Sequence, residues 1–442
     1  MLFRQFVDDD LGCASYLIGD ENAVALVDPA YAIEQYLDEA ERLGMRIVRV
    51  LETHTHADHV SGHGRLALEH GIPVSAHPLG KPEYPFDPIE EGDELELGSV
   101  RLRVVHTPGH RPEHCSFVAL EDGEPQLVMT GDSLFVGDAA RPDLAVEARE
   151  GAEGLFHSLR RLAELPGPVA VYPGHVAGSL CGAAMSPERS STIAAERRSN
   201  VALSYGELED FVAASASIAT PRPPNLQRIV GLNRGPFVSA PKPLRPIRYE
   251  PGLAVLDVRA AGEHLAGHVR GALNVPVDGP SFGTKAGFLL SPEDRIAIDA
   301  ASPEQAERAA RGLRAVGFLE LAGALADAPA DERVEPIEVD ELDELLARGE
   351  VEVIDVREKD ERDAGYIPGT RHIPYRLLRA SAEELRLDHP VVTICESGAR
   401  AAVGASVLRA AGVDARPVAH GGITTWRERG GRTVEFRRCG TV

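Results

Sequence analysis

The chain is poor in cysteine, has no long apolar run and carries no surplus of positive charge. Its five cysteines are an odd number spread over 442 residues, a pattern that does not indicate a disulfide framework, so we expect reduced thiols. No segment approaches the ~20 consecutive apolar residues of a membrane helix, and residues 1–10 lack the apolar core of a signal peptide. These absences predict a cytoplasmic protein with no membrane partner.

The charge balance excludes a further class of partner. Lys and Arg number 46 and Asp and Glu number 69, which gives a formal net charge of -23. Nucleic acid attracts proteins with surplus Lys and Arg, so we expect no nucleic-acid partner. The 43% of hydrophobic residues suffices to bury a core in each of several domains.

The order of apolar patterns predicts an α/β protein that contains a proline-rich linker. Up to about residue 235, β-like runs alternate with helix-patterned ones; Ala23–Val27, for example, precedes a predicted helix over 33–43. Proline is too frequent in 220–225 and in 240–246 for either periodic structure. We therefore interpret both stretches as linker.

Beyond this linker the chain repeats itself. The segment 255–259 returns as 353–357, a period of 98 residues that is typical of a duplicated small domain. Extending the alignment sets Asp299 on Cys395. The predicted domains are 1–240, 247–335 and 336–442.

A cluster of histidines and an aspartate follows the predicted strand over 46–51. Loops anchored on a sheet commonly hold ligands, and imidazole with carboxylate suits zinc or iron. We therefore predict a metal site at the end of this strand. The candidate ligands in the cluster are His54, His56, Asp58 and His59. Candidates that end later apolar runs are His110, Asp132 and His175.

These motifs, HxHxDH, TPGH, GD and PGH in that order, resemble those of the metallo-β-lactamase superfamily over about residues 1–235. The resemblance implies an αββα sandwich with metal ligands on loops at one edge of the sheets. It extends ligand status to all seven candidates, which can form two metal sites bridged by Asp132 or a single site.

Within this superfamily, the chain is most similar to persulfide dioxygenases fused to rhodanese domains. The similarity extends to the segments 130–138, 141–144 and 177–182. In that family one Fe(II) is held by two histidines and one carboxylate, which leaves positions for a persulfide sulfur and O2. The implied ligands are His54, His110 and Asp132. The residues implied as further ligands, or as hydrogen-bonding and proton-handling neighbours, are His56, Asp58, His59 and His175.

A glyoxalase II-like thioesterase is the alternative interpretation. Such an enzyme uses all seven candidates to bind two metal ions, here two Zn(II), and activates a bridging hydroxide. The ligands alone do not separate the two functions. The downstream thiol chemistry favours the dioxygenase, as does the lack of an evident helical tail for glutathione binding after residue 190.

Three residues are weaker candidates for binding the thiol substrate. A guanidinium suits the anionic groups of a thiol carrier, although a structural salt bridge is an equal alternative for each arginine. The cysteine lies on a strand that the resemblance places near the metal, but small buried cysteines are common in cores. These candidates are Arg141, Arg197 and Cys13.

A second reactive site is predicted at Cys395, which lies between a strand pattern and a helix pattern over 399–410. A helix N-terminus and a nearby cation, here Arg400, stabilise the thiolate that sulfur transfer requires. With the motifs DVR and GGITTW, this part resembles a rhodanese over about residues 336–435. Four residues separate Cys395 from Arg400, a spacing that fits a persulfide, whereas related phosphatase loops have five. We predict that Cys395 is the nucleophile and Arg400 its catalytic partner.

The first copy of the repeat resembles the rhodanese scaffold without its chemistry. The aligned Asp299 is a carboxylate, which does not carry sulfane sulfur, and no arginine follows it in the loop. We predict an inactive rhodanese-like domain that serves spacing or assembly.

Together, the resemblances imply a bifunctional enzyme of sulfide detoxification. With one Fe(II) per chain, a low-molecular-weight thiol persulfide and O2 give sulfite and thiol, and Cys395 transfers sulfane sulfur, forming or using thiosulfate. We expect a homo-oligomer. The alternatives are the dizinc thioesterase with a passive rhodanese and a non-catalytic sulfur relay.

Overall fold

The structure is a computed structural model that divides into two compact units. The first unit is Met1–Pro241 with Arg314–Gly317, and the second is Lys242–Leu313 with Phe318–Val442. The described residues are 1–20, 22–143, 145–176, 185–215, 222–385 and 389–436. Outside them lie Leu144 and the segment 177–182, two parts of the predicted dioxygenase motifs.

The unit boundary falls in only one of the two stretches interpreted as linker. The division between Pro241 and Lys242 falls within 240–246, as expected for a linker. Residues 222–225 instead belong to the first unit and lead into a helix that begins at Leu226. The linker interpretation of this stretch is wrong because proline is tolerated where a helix begins. The limits of the three domains stay predictions.

Two six-stranded sheets and flanking helices make up the described part of the first unit. The first sheet contains, in spatial order, β1 (Leu2–Asp8), β2 (Cys13–Asp20), β3 (Ala23–Val27), β4 (Arg46–Leu51), β5 (Val74–Ala76) and β6 (Asp87–Pro88). The second contains β7 (Glu94–Leu97), β8 (Val100–His106), β9 (Cys115–Glu121), β10 (Glu124–Gly131), β11 (Ala170–Pro173) and β12 (Ser191–Thr192). The helices are α1 (Glu34–Arg42), α2 (His63–His70), α3 (Ala148–Ala163), α4 (Ile193–Ser199), α5 (Leu208–Ser215) and α6 (Leu226–Arg234).

The sheets pack face to face with helices on the outside. Successive side chains of a strand point to opposite faces. Tyr16 of β2 therefore joins Phe117 of β9 in the core between the sheets, whereas Leu17 packs with Tyr36 of α1 on the outer face. On the other side, Val118 of β9 packs in the core that contains residues of α3. The expected αββα sandwich is confirmed.

Between residue 193 and residue 234, the described part of the chain forms the helices α4, α5 and α6. Thr192 Oγ1 caps α4 by accepting a hydrogen bond from the Ala195 N–H at 3.2 Å. Ile193 and Phe211 are buried in the same core as α3. Tertiary packing stabilises these helices, which are too short to be evident from sequence. The lack of a helical tail for glutathione binding stays a prediction.

Two sheets form the second unit. The strands are β13 (Pro246–Arg248), β14 (Ala254–Asp257), β15 (Leu273–Asn274), β16 (Ile296–Asp299), β17 (Gly323–Asp327), β18 (Glu352–Asp355), β19 (Arg371–His372), β20 (Val391–Ile394) and β21 (Ala415–Pro417). The helices are α7 (Ala261–Ala266), α8 (Phe282–Leu289), α9 (Pro303–Ala315), α10 (Val339–Arg348), α11 (Lys359–Asp363), α12 (Tyr375–Ser381), α13 (Ala399–Ala410) and α14 (Gly422–Glu428). Across the described residues of the whole chain, no helix has both the length and the apolar character needed to cross a membrane.

The two sheets of this unit share one strand order. The order β17-β16-β14-β15 in the first corresponds to β21-β20-β18-β19 in the second, and β13 is an additional edge strand. All of these strands pair in parallel. The shared order agrees with the duplication that the sequence repeat predicts.

The strand register corrects one position of the repeat alignment. The last residue of β14 pairs with Asp299, and the last residue of β18 pairs with Ile394. Asp299 is therefore equivalent to Ile394, and the residue after the strand is Ala300 in one copy and Cys395 in the other. The prediction that Asp299 takes the nucleophile's position is wrong by one residue, because the segment between the two paired strands is three residues longer in the first copy, whereas the sequence alignment allows for only two.

Candidate metal centre and thiolate loop

Three candidate ligands meet at the ends of strands from both sheets of the first unit. His54 follows β4, whereas His110 and Asp132 follow β8 and β10. Their ligand atoms all lie within 4.8 Å of one another, and none of the three residues is more than 3% exposed. We call these three residues the triad.

Two atoms of the triad have no hydrogen-bond partner in the described part of the chain, namely His54 Nε2 and Asp132 Oδ2. Asp132 Oδ2 lies 3.5 Å from His110 Nε2 and 3.9 Å from His54 Nε2. A buried polar atom without a partner is costly, and a divalent cation between these atoms would satisfy them. Two imidazoles and one carboxylate suit Fe(II), and Zn(II) also accepts this donor set. The triad therefore fits a metal ion.

Hydrogen bonds on the far side of each imidazole fix its orientation. His110 Nδ1 donates to the carbonyl oxygen of Arg141 at 2.9 Å. His54 Nδ1 donates to Thr53 Oγ1 at 2.9 Å, and Thr53 Oγ1 donates to Asp28 at 2.7 Å. Burial lowers the pKa of His54 well below its usual value and also lowers the pKa of His110. Both imidazoles are therefore neutral, the form that binds a metal.

A chain of contacts connects Asp132 to other candidates. His175 Nδ1 lies 2.7 Å from Asp132 Oδ1, and its Nε2 lies 2.8 Å from Asp58 Oδ2. His59 Nδ1 contacts the same Asp58 oxygen at 3.1 Å. Burial raises the pKa of Asp132, but His175 and His110 outweigh this effect and hold the pKa below its usual value. Both ring nitrogens of His175 thus face carboxylate oxygens.

His56 lies between two buried carboxylates. Its Nε2 is 3.3 Å from Asp28 Oδ1 and 3.4 Å from Glu52 Oε2. Burial lowers the pKa of His56, but Asp28 and Glu52 outweigh it and raise the pKa well above its usual value. Ligand atoms of His56, Asp58 and His59 also lie within 4.8 Å of one another. A second ion therefore has a candidate donor set beside the triad.

Sequence reasoning missed His114, which is fully buried beside the triad. Its Nε2 accepts a hydrogen bond from the Asp132 backbone N–H at 2.9 Å, and its Nδ1 donates to Thr107 Oγ1 at 2.8 Å. Burial lowers the pKa of His114 to about 3, so the ring is neutral. A side chain on Gly131 would collide with His114 and Thr53. The available signal was its place four residues after the histidine of the TPGH motif.

The three weaker candidates lie in different surroundings. Arg141 is buried, and its guanidinium contacts Asp143 at 2.7 Å. Arg197 donates to two backbone carbonyls at the C-terminal end of α3, which stabilises a helix end. Cys13 is buried at the start of β2, forms an isolated β-bridge with His175, and has a thiol pKa raised by burial. Substrate binding by these residues stays a prediction.

The thiolate loop, residues 395–398, joins β20 to α13 in the second unit. Cys395 is buried, and the backbone N–H of Gly398 donates to its Sγ at 3.1 Å. The Ile423 N–H donates to the Cys395 carbonyl at 2.9 Å. Gly398 has φ of +104°, and a side chain there would collide with the carbonyl of Ala419. The loop thus holds the sulfur at the N-terminus of α13.

Ion pairs surround this loop. Arg400 pairs with Glu361 through two contacts of 2.5 and 2.6 Å. Glu396, the residue after the cysteine, accepts hydrogen bonds from Arg357 at 2.8 Å and from Thr424 Oγ1 at 2.9 Å. The hydrogen bond to Glu361 raises the pKa of Arg400. Arg400 is therefore charged and already paired with a carboxylate.

The corresponding loop of the first copy holds no thiol, since Ala300 follows β16. The neighbouring Asp299 contacts Arg259 at 3.1 Å. Burial, together with the charge of Asp257, raises the pKa of Asp299 to about 6. Among the described residues of this copy, no cysteine takes the nucleophile's place.

Two family models match the chain. The metallo-beta-lactamase superfamily model matches residues 8–175, and the rhodanese-like domain model matches residues 338–429. The first range contains the triad, and the second contains the thiolate loop.

Comparison with known proteins separates two kinds of relative. The mitochondrial persulfide dioxygenase ETHE1 of Bos taurus is 29% identical over 239 residues, which cover 53% of this chain and 87% of that protein. The cytoplasmic hydroxyacylglutathione hydrolase of Arabidopsis thaliana is 38% identical over 168 residues, which cover 36% of this chain and 62% of that protein. The crystal structure of a metallo-beta-lactamase from Staphylococcus aureus subsp. aureus COL has 28% identity and a TM-score of 0.68, and the match covers 74% of this chain and 98% of that one.

Proposed function

Since the chain joins a metallo-β-lactamase superfamily domain, which has persulfide dioxygenase homologues, to a C-terminal rhodanese-like domain, we propose that it is a bifunctional enzyme of sulfide oxidation. The first unit oxidises a low-molecular-weight thiol persulfide with O2 and water to thiol and sulfite. The second transfers sulfane sulfur through Cys395, forming or using thiosulfate. Such an enzyme removes sulfide that has been captured as a persulfide.

The single observation that carries the dioxygenase proposal is the buried triad with its two partnerless atoms. Its two histidines and one carboxylate would hold one Fe(II), and we propose His54, His110 and Asp132 as the ligands. When bound there, the ion supplies adjacent positions for the persulfide sulfur and O2. His175 is placed to hold a proton between Asp132 and Asp58.

The extent of the matches also supports the dioxygenase. The chain covers 87% of the persulfide dioxygenase but only 62% of the hydrolase. The thiolate loop adds sulfur chemistry that a thioesterase does not need.

In the sulfur-transfer reaction, the Cys395 thiolate attacks the outer sulfur of the donor. The new Cys395 S–S bond forms as the donor S–S bond breaks, and the donor fragment leaves with the electron pair. The Gly398 N–H, 3.1 Å from Sγ, is placed to stabilise the negative sulfur.

A dizinc thioesterase is the second candidate function, and one observation favours it. The ligand atoms of His56, Asp58 and His59 form a further group within 4.8 Å. A two-metal site would also require His175 as a ligand. Both of its ring nitrogens contact carboxylates that are candidate ligands themselves, so the number of bound metal ions distinguishes the two functions.

Oxygen consumption tests the proposal directly. Protein loaded anaerobically with iron is mixed with glutathione persulfide, and O2 uptake, sulfite and bound metal are measured in one sample. We expect uptake with sulfite formation at about one iron per chain, the stoichiometry of a single triad. Absence of uptake, together with two zinc ions and hydrolysis of a glutathione thioester, would reject the dioxygenase in favour of the hydrolase.

The location and assembly belong to the same proposal. We place the protein in the cytoplasm as a homo-oligomer, although the bovine relative is named as mitochondrial. Cell fractionation and light scattering measure the two properties, and a membrane-associated or monomeric protein would contradict this part of the proposal.

A further inference from the structure

The cations around the thiolate loop are all paired with carboxylates. Arg400 contacts Glu361 at two points, and the fully buried Arg357 is shared between Asp355 and Glu396. The ion pairs at or beside the loop are Arg400–Glu361, Arg357–Asp355, Arg357–Glu396, Arg376–Glu358 and Arg427–Glu396. These pairs contain four arginines and four carboxylates, so the described groups offer a sulfur donor no surplus positive charge.

Glu396 adds a solvent-accessible carboxylate directly after the nucleophile. Its side chain is 35% exposed, whereas that of Arg357, its strongest partner, is 1% exposed. The Thr424 hydroxyl and Arg427 hold the second carboxylate oxygen at 2.9 and 3.4 Å. Arg427, which pairs with the same carboxylate, is 40% exposed, so the groups beside the nucleophile offer an incoming donor balanced charges and no cationic surface.

Sulfur donors differ in the charge that they bring close to Cys395. A thiol persulfide transfers its outer sulfur and leaves as a thiol, and any carboxylates of the carrier lie far from the breaking S–S bond. Thiosulfate transfers the same sulfur but leaves as the sulfite dianion, so two negative charges lie next to that bond. Like charges at close range repel strongly where water is partly excluded.

We propose that Glu396 and the Arg400–Glu361 pair determine donor specificity, so that Cys395 takes sulfur from thiol persulfides in preference to thiosulfate. This proposal rests on the proposed sulfurtransferase function and adds the substrate class. The step is balanced: the Cys395 thiolate and the persulfide RSSH give the Cys395 persulfide anion and the thiol RSH. Sulfite, as the acceptor in the reverse of the thiosulfate reaction, is disfavoured by the same charges.

The test measures the rate at which Cys395 becomes a persulfide in the full chain. Glutathione persulfide or thiosulfate is added, the reaction is quenched by alkylation, and the Cys395 peptide is quantified by mass spectrometry. The variants are Glu396→Gln, whose single amide oxygen keeps an acceptor for the buried Arg357 while its NH2 can donate to the Thr424 hydroxyl, and Glu361→Gln, which frees part of Arg400. Glu428→Gln on α14 is the matched control, because it removes one exposed charge at a distance from the loop contacts.

We expect the wild type to react with glutathione persulfide at least tenfold faster than with thiosulfate, roughly the scale of one nearby charge. Glu396→Gln and Glu361→Gln should raise the thiosulfate rate about tenfold and leave the persulfide rate nearly unchanged, which also shows that the variants fold. Added salt should raise the wild-type thiosulfate rate, because it screens the repulsion. The control variant should behave as wild type.

Other results overturn the proposal. If wild-type protein reacts equally well with both donors, or if the two variants leave the ratio of rates unchanged, the charges do not set specificity, although sulfur transfer itself stands. A wild type that forms no Cys395 persulfide with either donor contradicts the sulfurtransferase function, and the donor preference falls with it.

Discussion

The single residue His114 helps to fix the geometry of the proposed metal centre. Its ring accepts the Asp132 N–H and donates to Thr107, so it holds the backbone from which the carboxylate projects. Loss of a group that orients a metal ligand typically lowers metal affinity by roughly 10- to 100-fold. His114 is therefore a positioning residue of the proposed centre.

Replacing His114 tests this role. We expect His114→Ala to weaken iron binding by roughly 10- to 100-fold, and His114→Gln to recover part of the loss because its amide oxygen can accept the same N–H. Competition with a chelator measures the affinity, and thermal unfolding of the same samples checks that the first unit folds. Wild-type affinity in the alanine variant would show that His114 only fills space.

Asp299 makes stability depend on pH in the first copy of the repeat. Burial, with Asp257, raises its folded-state pKa to about 6, even though Arg259 lies at 3.1 Å. Arg259 also pairs with Asp257, so its charge only partly offsets the burial. A carboxyl group with a raised folded pKa contributes stability below its unfolded pKa near 4, and this stability is lost as the pH rises through about 6.

The variant Asp299→Asn should remove this loss. We expect its melting temperature to exceed that of the wild type at pH 7.5. The raised pKa, about two units above the unfolded value, corresponds to a gain in the free energy of unfolding on the order of 1–3 kcal/mol. The difference between variant and wild type should shrink toward pH 4. Thermal unfolding across this range measures the effect, with Asp343→Asn on the exposed face of α10 as control. An equal or lower melting temperature of the variant at pH 7.5 would contradict the claim that the ionised, buried Asp299 destabilises the folded state.

At the level of elements, the junction of β20 and α13 is what positions the nucleophile. The loop passes through Gly398 with φ of +104°, and its N–H points at Cys395 Sγ. Gly412, just after the same helix, also has a positive φ of +84°, but nothing lies within 4 Å of an added Cβ. An alanine at either position would therefore have a strained backbone, but only an alanine at position 398 would also collide with neighbouring atoms.

This difference gives a matched pair of variants. Both alanine substitutions should cost about 1–2 kcal/mol through the left-handed backbone, but only Gly398→Ala should also lose sulfur transfer, by 100-fold or more on the order expected for a misplaced nucleophile. Cys395 persulfide formation and thermal unfolding are measured for each. Retained transfer in Gly398→Ala would show that the loop tolerates rearrangement.

At the scale of the whole molecule, the two units carry separate chemistry in the proposed function. The triad lies in the first unit and the thiolate loop in the second. Each site is assembled from residues of its own unit.

Substitutions in each site should therefore act independently. We expect His110→Ala to abolish oxygen consumption and leave Cys395 persulfide formation intact, because it removes a ligand of the triad alone. Cys395→Ser should do the opposite. Oxygen uptake and persulfide formation are measured on both variants, and loss of both activities in either variant would contradict the two-site proposal.

The sequence by itself determined the elements and residues that local pattern specifies. The strands at Ala23–Val27 and Arg46–Leu51 and the helix within 33–43 occur where the apolar periodicity predicts them. The αββα fold was implied by the resemblance of the ordered motifs to the metallo-β-lactamase superfamily. The proposed ligands were identifiable because histidine and aspartate at the ends of strands have few roles other than chemistry.

Only the tertiary structure decided the features that depend on contacts between distant segments. The register of β14 with β16 shows that Ala300, and not Asp299, is equivalent to the nucleophile. Residue types alone do not indicate this register. The helices α4 and α5 form because they pack beside α3. The bond from Asp132 to His114 and the pairing of Arg400 with Glu361 join residues 18 and 39 positions apart. Pairing and burial of this kind are set by the packed chain, so they cannot be read from a linear pattern.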